Sequence, residues 1–600
     1  MWDNAAADAE RYASLRVAYS ERQARTQMAD MDINAHNMSR LDVFDRSAVG
    51  LALGLIGASG LLLALADTGL PVPRAVFAVL WLALWGVVLA AVLVQPIAIA
   101  RRGSWHQWWP LMVTLLLFIY AAIRLGGSSF AIDDELTSWN YWAIQHFLSM
   151  PTDYAYTQAA YPQLFAEWVG SIYRALGSFD QQATARVTIS LATVMLGLLM
   201  MRASALAGRY GSWLAALLLL VLWFSGFRLS FMRGLADPLM VVALLASVHY
   251  FLEYAAESER PLAFWWCALA AVVASYAKQP ALIWGCVVLP VICAWCVWRK
   301  GWKPWTFGLA LLSAGASAVW PLAIGRGFQN NQGVISRSLG DRELLQQLVH
   351  SAHSYLLDRP LVLLLLAASA ITCWSKPLLR GIWLLLLLPM LLAWFIWGSY
   401  AFRLGMHVVG LAGLLLLHAC NRKSVLSDSR QAWSWSSQAA RRAYGAQAAM
   451  LAVLALTTFG ALAVAAKRKL DLEHGTDLTI RHYFEASADT VLAIYRGKQP
   501  VWVSSNYLNG IFYGNNPVIV PLYTKDGYSR HRMLKELMNS GAAYAFSAGK
   551  VPYGAASAVL LQTAAACPQA FREIVHGRNA FGYKVFKLDV PLLRTGACQS

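Results

Sequence analysis

The chain has 600 residues, of which 58% are hydrophobic and 14% charged, and its formal net charge is +17. Mean hydropathy is +0.47, and apolar stretches of spanning length recur along most of the chain, which is the composition of a polytopic α-helical membrane protein. The positive charge does not point to nucleic acid, because Lys and Arg fall in short loops between apolar runs, where they set topology.

In chain order, residues 1–45 form a polar N-terminal segment carrying Asp3, Glu10, Arg11, Arg16, Glu21, Arg22 and Arg25. It has no short apolar core with a small-residue cleavage site, so the expectation is an uncleaved, cytoplasmic N-terminus. Apolar runs of spanning length follow near residues 48–67, 76–98, 109–124, 183–201, 212–228, 235–254, 262–277, 281–298, 305–325, 360–374, 381–398, 404–420 and 445–466. That predicts about thirteen spans over a transmembrane domain at 46–466. In the first pair, Gly54, Gly57, Gly60 and the Pro71-Val72-Pro73 turn also allow a re-entrant hairpin with the same sidedness.

With the N-terminus inside, the even-numbered spans end on the cytoplasmic side. The basic clusters Arg101-Arg102, Arg202 with Arg209, Arg299-Lys300 with Lys303, Lys376 with Arg380, and Arg422-Lys423 with Arg441-Arg442 all fall there, as the positive-inside bias requires. The opposite face then holds loops 125–182 and 326–359 and a C-terminal domain at 467–600. In a bacterial inner membrane that face is periplasmic.

The first external loop carries Asp133-Asp134-Glu135 soon after the apolar run from Trp109 to Ile123. Carboxylates beside a bilayer are costly to hold and mark substrate or ion sites. One Asp would suffice to cap the following helix; three exceed that need. From Leu136 to Leu148 the pattern puts Trp139, Trp142 and Phe147 near one helical face, predicting an amphipathic helix along the membrane surface. A second such helix is predicted after Tyr161-Pro162.

Further along, Arg228 and Arg233 precede Asp237, Lys278 ends a span, and Arg403 with His407 opens another. All are expected at the external face. Such cations either snorkel at the interface or grip an anion, Arg bidentately and Lys as a point charge. Asp237, followed by Pro238, also suits a helix N-cap. In the second loop His350 and His353 lack a clear third ligand, so no metal site is assigned.

Cys293 and Cys296 lie inside an apolar helix and read as packing rather than redox residues. Cys567 and Cys598 both fall in the external domain and are expected to form a disulfide. Strands are predicted at Val501-Trp502-Val503, Pro517 to Val520, Ala543 to Phe546 and Tyr583 to Leu588, with helices at Arg530 to Asn539 and Ala555 to Ala566, giving an α/β domain.

Four of these places, in this order and on one face, resemble the GT-C membrane glycosyltransferases, particularly the protein O-mannosyltransferase and aminoarabinose transferase branch. They are Asp133-Asp134-Glu135 with Trp139 and Trp142; Tyr161-Pro162; Ala236-Asp237-Pro238-Leu239; and Ala277-Lys278-Gln279-Pro280, supported by Phe402-Arg403-Leu404 and His407. Two features depart from that family: two spans precede the acidic loop, and the acidic site has three carboxylates rather than a pair.

The resemblance implies an inverting transferase moving a sugar from a polyprenyl-phosphate donor to a lipid, glycan or protein acceptor. Asp134 would be the base, with Asp133 and Glu135 beside it; Trp139, Trp142, Tyr161 and Asp237 would line the substrate site. The chemistry needs cations for the departing phosphate, and Lys278, Arg403, Arg233, Arg228 and His407 are available. No cofactor is required, and a divalent cation at the triplet stays an alternative. So do a lipopolysaccharide ligase or polymerase using a lipid-diphosphate glycan, a transporter, and a non-catalytic scaffold.

Overall fold

The structure is a computed structural model that describes residues 43–100, 109–125, 130, 138–149, 161–179, 181–206, 211–223, 234–256, 260–324, 344–357, 359–397, 402–420, 480–481, 484–504, 518–519, 528–547, 555–575, 583–596 and 598. Among the described residues seven helices are long and apolar enough to cross a membrane: Val43–Asp67, Arg74–Val94, Gln182–Ser204, Asp237–Ala256, Gln279–Lys300, Pro304–Leu322 and Pro377–Ile396. An eighth span results if Leu345–Leu357 and Pro360–Trp374, bent by 98° at their junction, are one broken element. This is the architecture of a membrane-embedded helical protein.

The runs expected at 109–124, 212–228, 262–277 and 404–420 contain apolar helices, Trp109–Ala121, Gly211–Leu222, Pro261–Ala277 and Met406–Ala419, whose described parts are each shorter than a full span. The run at 445–466 lies outside the described residues. The first pair is two separate helices, each of spanning length.

Helix ends follow local chemistry. Pro261, Pro304, Pro360 and Pro377 each open a helix, where the missing N–H removes no intrahelical bond. Arg299 and Lys300 occupy the last turn of Leu289–Lys300, which closes on left-handed Gly301 (φ 67°), a combination that suits the negative end of the helix dipole.

Lipid is as apolar as Leu, so helices in a membrane associate through close packing of small residues rather than through expulsion of water. The first helix does this with one glycine stripe. Gly50, Gly54 and Gly57 face Trp266, Leu269 and Val273 of Pro261–Ala277, and Gly60 faces Leu164 and Glu167. A side chain at Gly50 or Gly60 would collide with its neighbour, so the stripe sets the distance between these helices.

The C-terminal segment forms a five-stranded sheet ordered β2-β1-β3-β5-β4, with β1 Val501–Val503, β2 Val518–Ile519, β3 Tyr544–Phe546, β4 Phe571–Glu573 and β5 Val585–Leu588. β1 runs parallel to β2 and β3, while β5 is antiparallel to β3 and β4. Its two faces bury different partners, as strand alternation demands. Val501, Val503, Phe546 and Val585 belong to the apolar core continuous with the helical bundle. Trp502, Ala545, Phe586 and Leu588 pack on the sheet's own helices. Cys567 and Cys598 are joined by a disulfide with Cα atoms 5.7 Å apart.

Candidate functional site

Lys278 sits where a helix breaks. Pro261–Ala277 ends on Lys278 in an extended conformation (φ −162°, ψ 147°), and a short 3-10 turn, Gln279–Ala281, follows. Pro280 cannot donate to the preceding turn, so the chain kinks here. Non-helical backbone at membrane depth is tolerated where it lines protein or a cavity. The kink delivers the ammonium to Asp237, the first residue of Asp237–Ala256: Lys278 Nζ donates to Asp237 Oδ1 at 2.5 Å. Asp237 is 3% and Lys278 9% exposed, so this is a buried ion pair. His407, buried in the first turn of Met406–Ala419, is close enough to interact electrostatically with both.

Three residues expected to meet at this end therefore do meet. Among the described residues Asp237 is the hydrogen-bond partner of Lys278, which leaves two of its three N–H donors for another acceptor.

The second group of residues lies on two packed helices. Asn140–Phe147 was expected to lie along the membrane surface, but the structure buries every residue from Asn140 to His146. Its polar side chains find internal partners, which removes the reason for a solvated face. Tyr173 Oη donates to Asn140 Oδ1 at 2.6 Å, and His146 Nδ1 lies 2.6 Å from Asp67 Oδ2 at the end of the first helix. Gln163 turns its Oε1 to His146 Nε2 at 3.4 Å, because its Nε2 donates to the Tyr161 carbonyl at 2.9 Å. The second expected surface helix, Leu164–Leu176, is likewise mostly buried.

Trp139, Trp142 and Tyr161 come together. Trp139 stands edge-on to Trp142 (5.3 Å between ring centroids), Tyr161 (5.8 Å) and Phe165 (5.6 Å), the arrangement aromatic quadrupoles favour. Trp142 is fully buried while Tyr161 is part-exposed, so Tyr161 forms the accessible edge of the cluster. One turn further on, Glu167 carries a carboxyl pushed up from its ordinary 4.5 to about 7 by burial; His146 pulls it down and Asp67 pushes it up.

The triplet Asp133-Asp134-Glu135 lies outside the described residues, as do Arg228 and Arg233. Arg403 has its backbone in the turn Phe402–Gly405, with its side chain outside the described set. The described residues flanking the triplet are informative. Phe130 N donates to Gln182 Oε1 at 3.0 Å, and its ring fills the space a side chain at Gly234 would need, three residues before Asp237. Ser138 and Trp139 begin the helical turn into the aromatic cluster.

Sequence reasoning passed over Asp67, His146, Gln163 and Glu167. A His four residues after Trp142, on the same helical face as that buried ring, was the available signal. It also read Arg202 as a loop cation, whereas the structure holds it, part-buried, between Asp45 Oδ2 at 2.9 Å and Glu253 Oε1 at 3.1 Å. Among the described residues no group of His, Cys, Asp and Glu is arranged to hold a metal ion. No protein-family model matches the chain, and no curated protein matches it.

Proposed function

We propose that the protein is a GT-C-like membrane glycosyltransferase that moves a sugar, with inversion, from a polyprenyl-phosphate donor to a hydroxyl on a lipid, glycan or protein acceptor. It would act at the periplasmic face of a bacterial inner membrane, where an activated donor must arrive in the bilayer. The observation that carries this reading is Lys278, held by Asp237 at a helix break beside His407. A buried ammonium anchored on one side and able to donate on the other is suited to a phosphate leaving group.

In the reaction, the acceptor oxygen attacks the anomeric carbon from the face opposite the phosphate, and Asp134 takes its proton. Asp133 and Glu135 hold the local field, and Lys278 with Arg403, Arg233, Arg228 and His407 meets the charge developing on the departing oxygen. The aromatic cluster of Trp139, Trp142 and Tyr161 gives the sugar an apolar wall to stack on.

The test offers purified protein polyprenyl-phosphate sugars with different labelled head groups. Asp134→Asn should lower turnover on the order of 10² to 10⁴-fold, and Lys278→Met should raise KM for the donor. Turnover that survives Asp134→Asn removes the base assignment. Consumption of a lipid-diphosphate glycan instead would favour a ligase or polymerase.

A further inference from the structure

Arg202 and its carboxylates stand beside a cavity of about 10 Å³, a volume on the order of what one water needs. Four helices enclose it. Asp45 and Arg46 come from the first helix, Ala91 from Arg74–Val94, Arg202 from Gln182–Ser204, and His249 with Tyr250 from Asp237–Ala256. Cavities that stay empty are lined by apolar groups; this wall is largely polar.

One atom of the wall is unmet. His249 is buried, and its Nε2 has no hydrogen-bond partner among the described residues, although a buried polar atom is normally answered. Its other nitrogen, Nδ1, lies 3.1 Å from His418 Nε2. A neutral imidazole has one donor and one acceptor nitrogen. If Nδ1 donates to His418, then His249 Nε2 is a bare acceptor; if His418 donates, Nε2 carries the N–H. Either tautomer leaves Nε2 in need of a partner, and water can answer both because it donates and accepts.

The surrounding distances fit the same guest. Glu253 gives Oε1 to Arg202, while its Oε2 lies 4.0 Å from His249 Nε2. That is too long for a direct hydrogen bond and suits a bridging water. Tyr250 Oη accepts from Gly50 N at 3.0 Å, which leaves its own O–H to donate. Asp45 and Glu253 offset Arg46 and Arg202 in charge, so the cavity calls for a neutral guest rather than an ion.

We propose that this cavity is a binding site for one ordered water, which bonds His249 Nε2 and Tyr250 Oη and ties them to the Arg202–Glu253 pair. With the water in place, hydrogen bonds run from the first helix through Gln182–Ser204 and Asp237–Ala256 to Met406–Ala419 without an open polar end. The site is independent of the transfer chemistry.

The test is a structure of the full chain in lipid nanodiscs, determined finely enough to show waters. One density peak should lie within about 3.2 Å of both His249 Nε2 and Tyr250 Oη. An empty cavity, an ion in it, or His249 Nε2 bonded directly to a protein atom overturns the proposal. A second measurement uses solid-state NMR on the chain labelled with 15N-histidine. Magnetisation from water should reach the His249 Nε2 resonance, which is identified by its loss in His249→Gln, and Ala91→Val, which fills the cavity, should abolish that transfer. A wild-type resonance that water never reaches, or a transfer undiminished in Ala91→Val, is the opposite result and overturns the site. The two wild-type measurements decide the matter even where a variant fails to fold.

Discussion

The two ends of the helical bundle treat their charges in opposite ways. Arg202 ties the first helix to Asp237–Ala256 by gripping Asp45 with Nη1 and Glu253 with Nε and Nη2. Around it, His249 Nδ1 meets His418 Nε2 at 3.1 Å, Gly50 N donates to Tyr250 Oη at 3.0 Å, and Lys376 Nζ donates to the Ala419 carbonyl at 2.6 Å. Asp45 and Glu253 stand at one end of their antiparallel helices, so Asp67 and Asp237 stand at the other. There, among the described residues, one oxygen of Asp67 is buried without a partner and Asp237 is the acceptor of Lys278. An ion pair whose cation is gripped by two carboxylates belongs to architecture; a buried ammonium with donors to spare marks a candidate site.

The strongest way to break that comparison is to remove one cation from each end. Arg202→Met strands Asp45 and Glu253, and should cost about 3–5 kcal/mol, read as a lower melting temperature with unchanged turnover per folded molecule. Lys278→Met strands Asp237 at a similar cost and also weakens donor binding. The double variant Asp237→Asn with Lys278→Met should regain stability but not donor affinity. Full recovery of both would make the pair structural, like its counterpart at the Arg202 end.

Opening the disulfide is a control outside both ends. It closes a loop with a sequence separation of 31, and Cys598→Ser should cost about 3–4 kcal/mol in the unfolding of the C-terminal segment with transfer retained. Smaller again is Gly234→Val, which drives a side chain into Phe130. Overpacking of this kind costs about 1–3 kcal/mol, and the expected signature is turnover falling further than the melting temperature does.

The last effect is on stability against pH. A carboxyl raised from 4.5 to about 7 on folding binds its proton more tightly in the folded state. Its contribution is therefore complete below the ordinary value and is lost as pH rises through about 7. The melting temperature should fall over that window in wild type and fall less in Glu167→Gln, sharpening the contrast with the answered charges at the other end.

Most helices were legible because an apolar run of spanning length has one physical use, and the strands of the C-terminal segment because short β-branched and aromatic runs such as Val501-Trp502-Val503 favour strands. β4 was missed: Phe571-Arg572-Glu573 has one apolar residue and reads as a loop until β5 pairs with it. The two helices of the first loop were misread for a related reason. Asn140, Gln145 and His146 signalled a wet face, but hydrogen-bond partners 17 to 79 residues away in sequence made burial affordable.

By itself the sequence determined that this chain makes apolar helices and where along it the acidic triplet and the proline breaks fall, since hydropathy and proline breaks are local properties. Only the tertiary structure decided that Lys278 meets Asp237 beside His407, that Arg202 clamps Asp45 and Glu253, and that His146 lies between Asp67 and Gln163. Those facts depend on which polar atoms distant segments bring together when glycine lets helices approach, and a partner's absence is not written in the residue that lacks it.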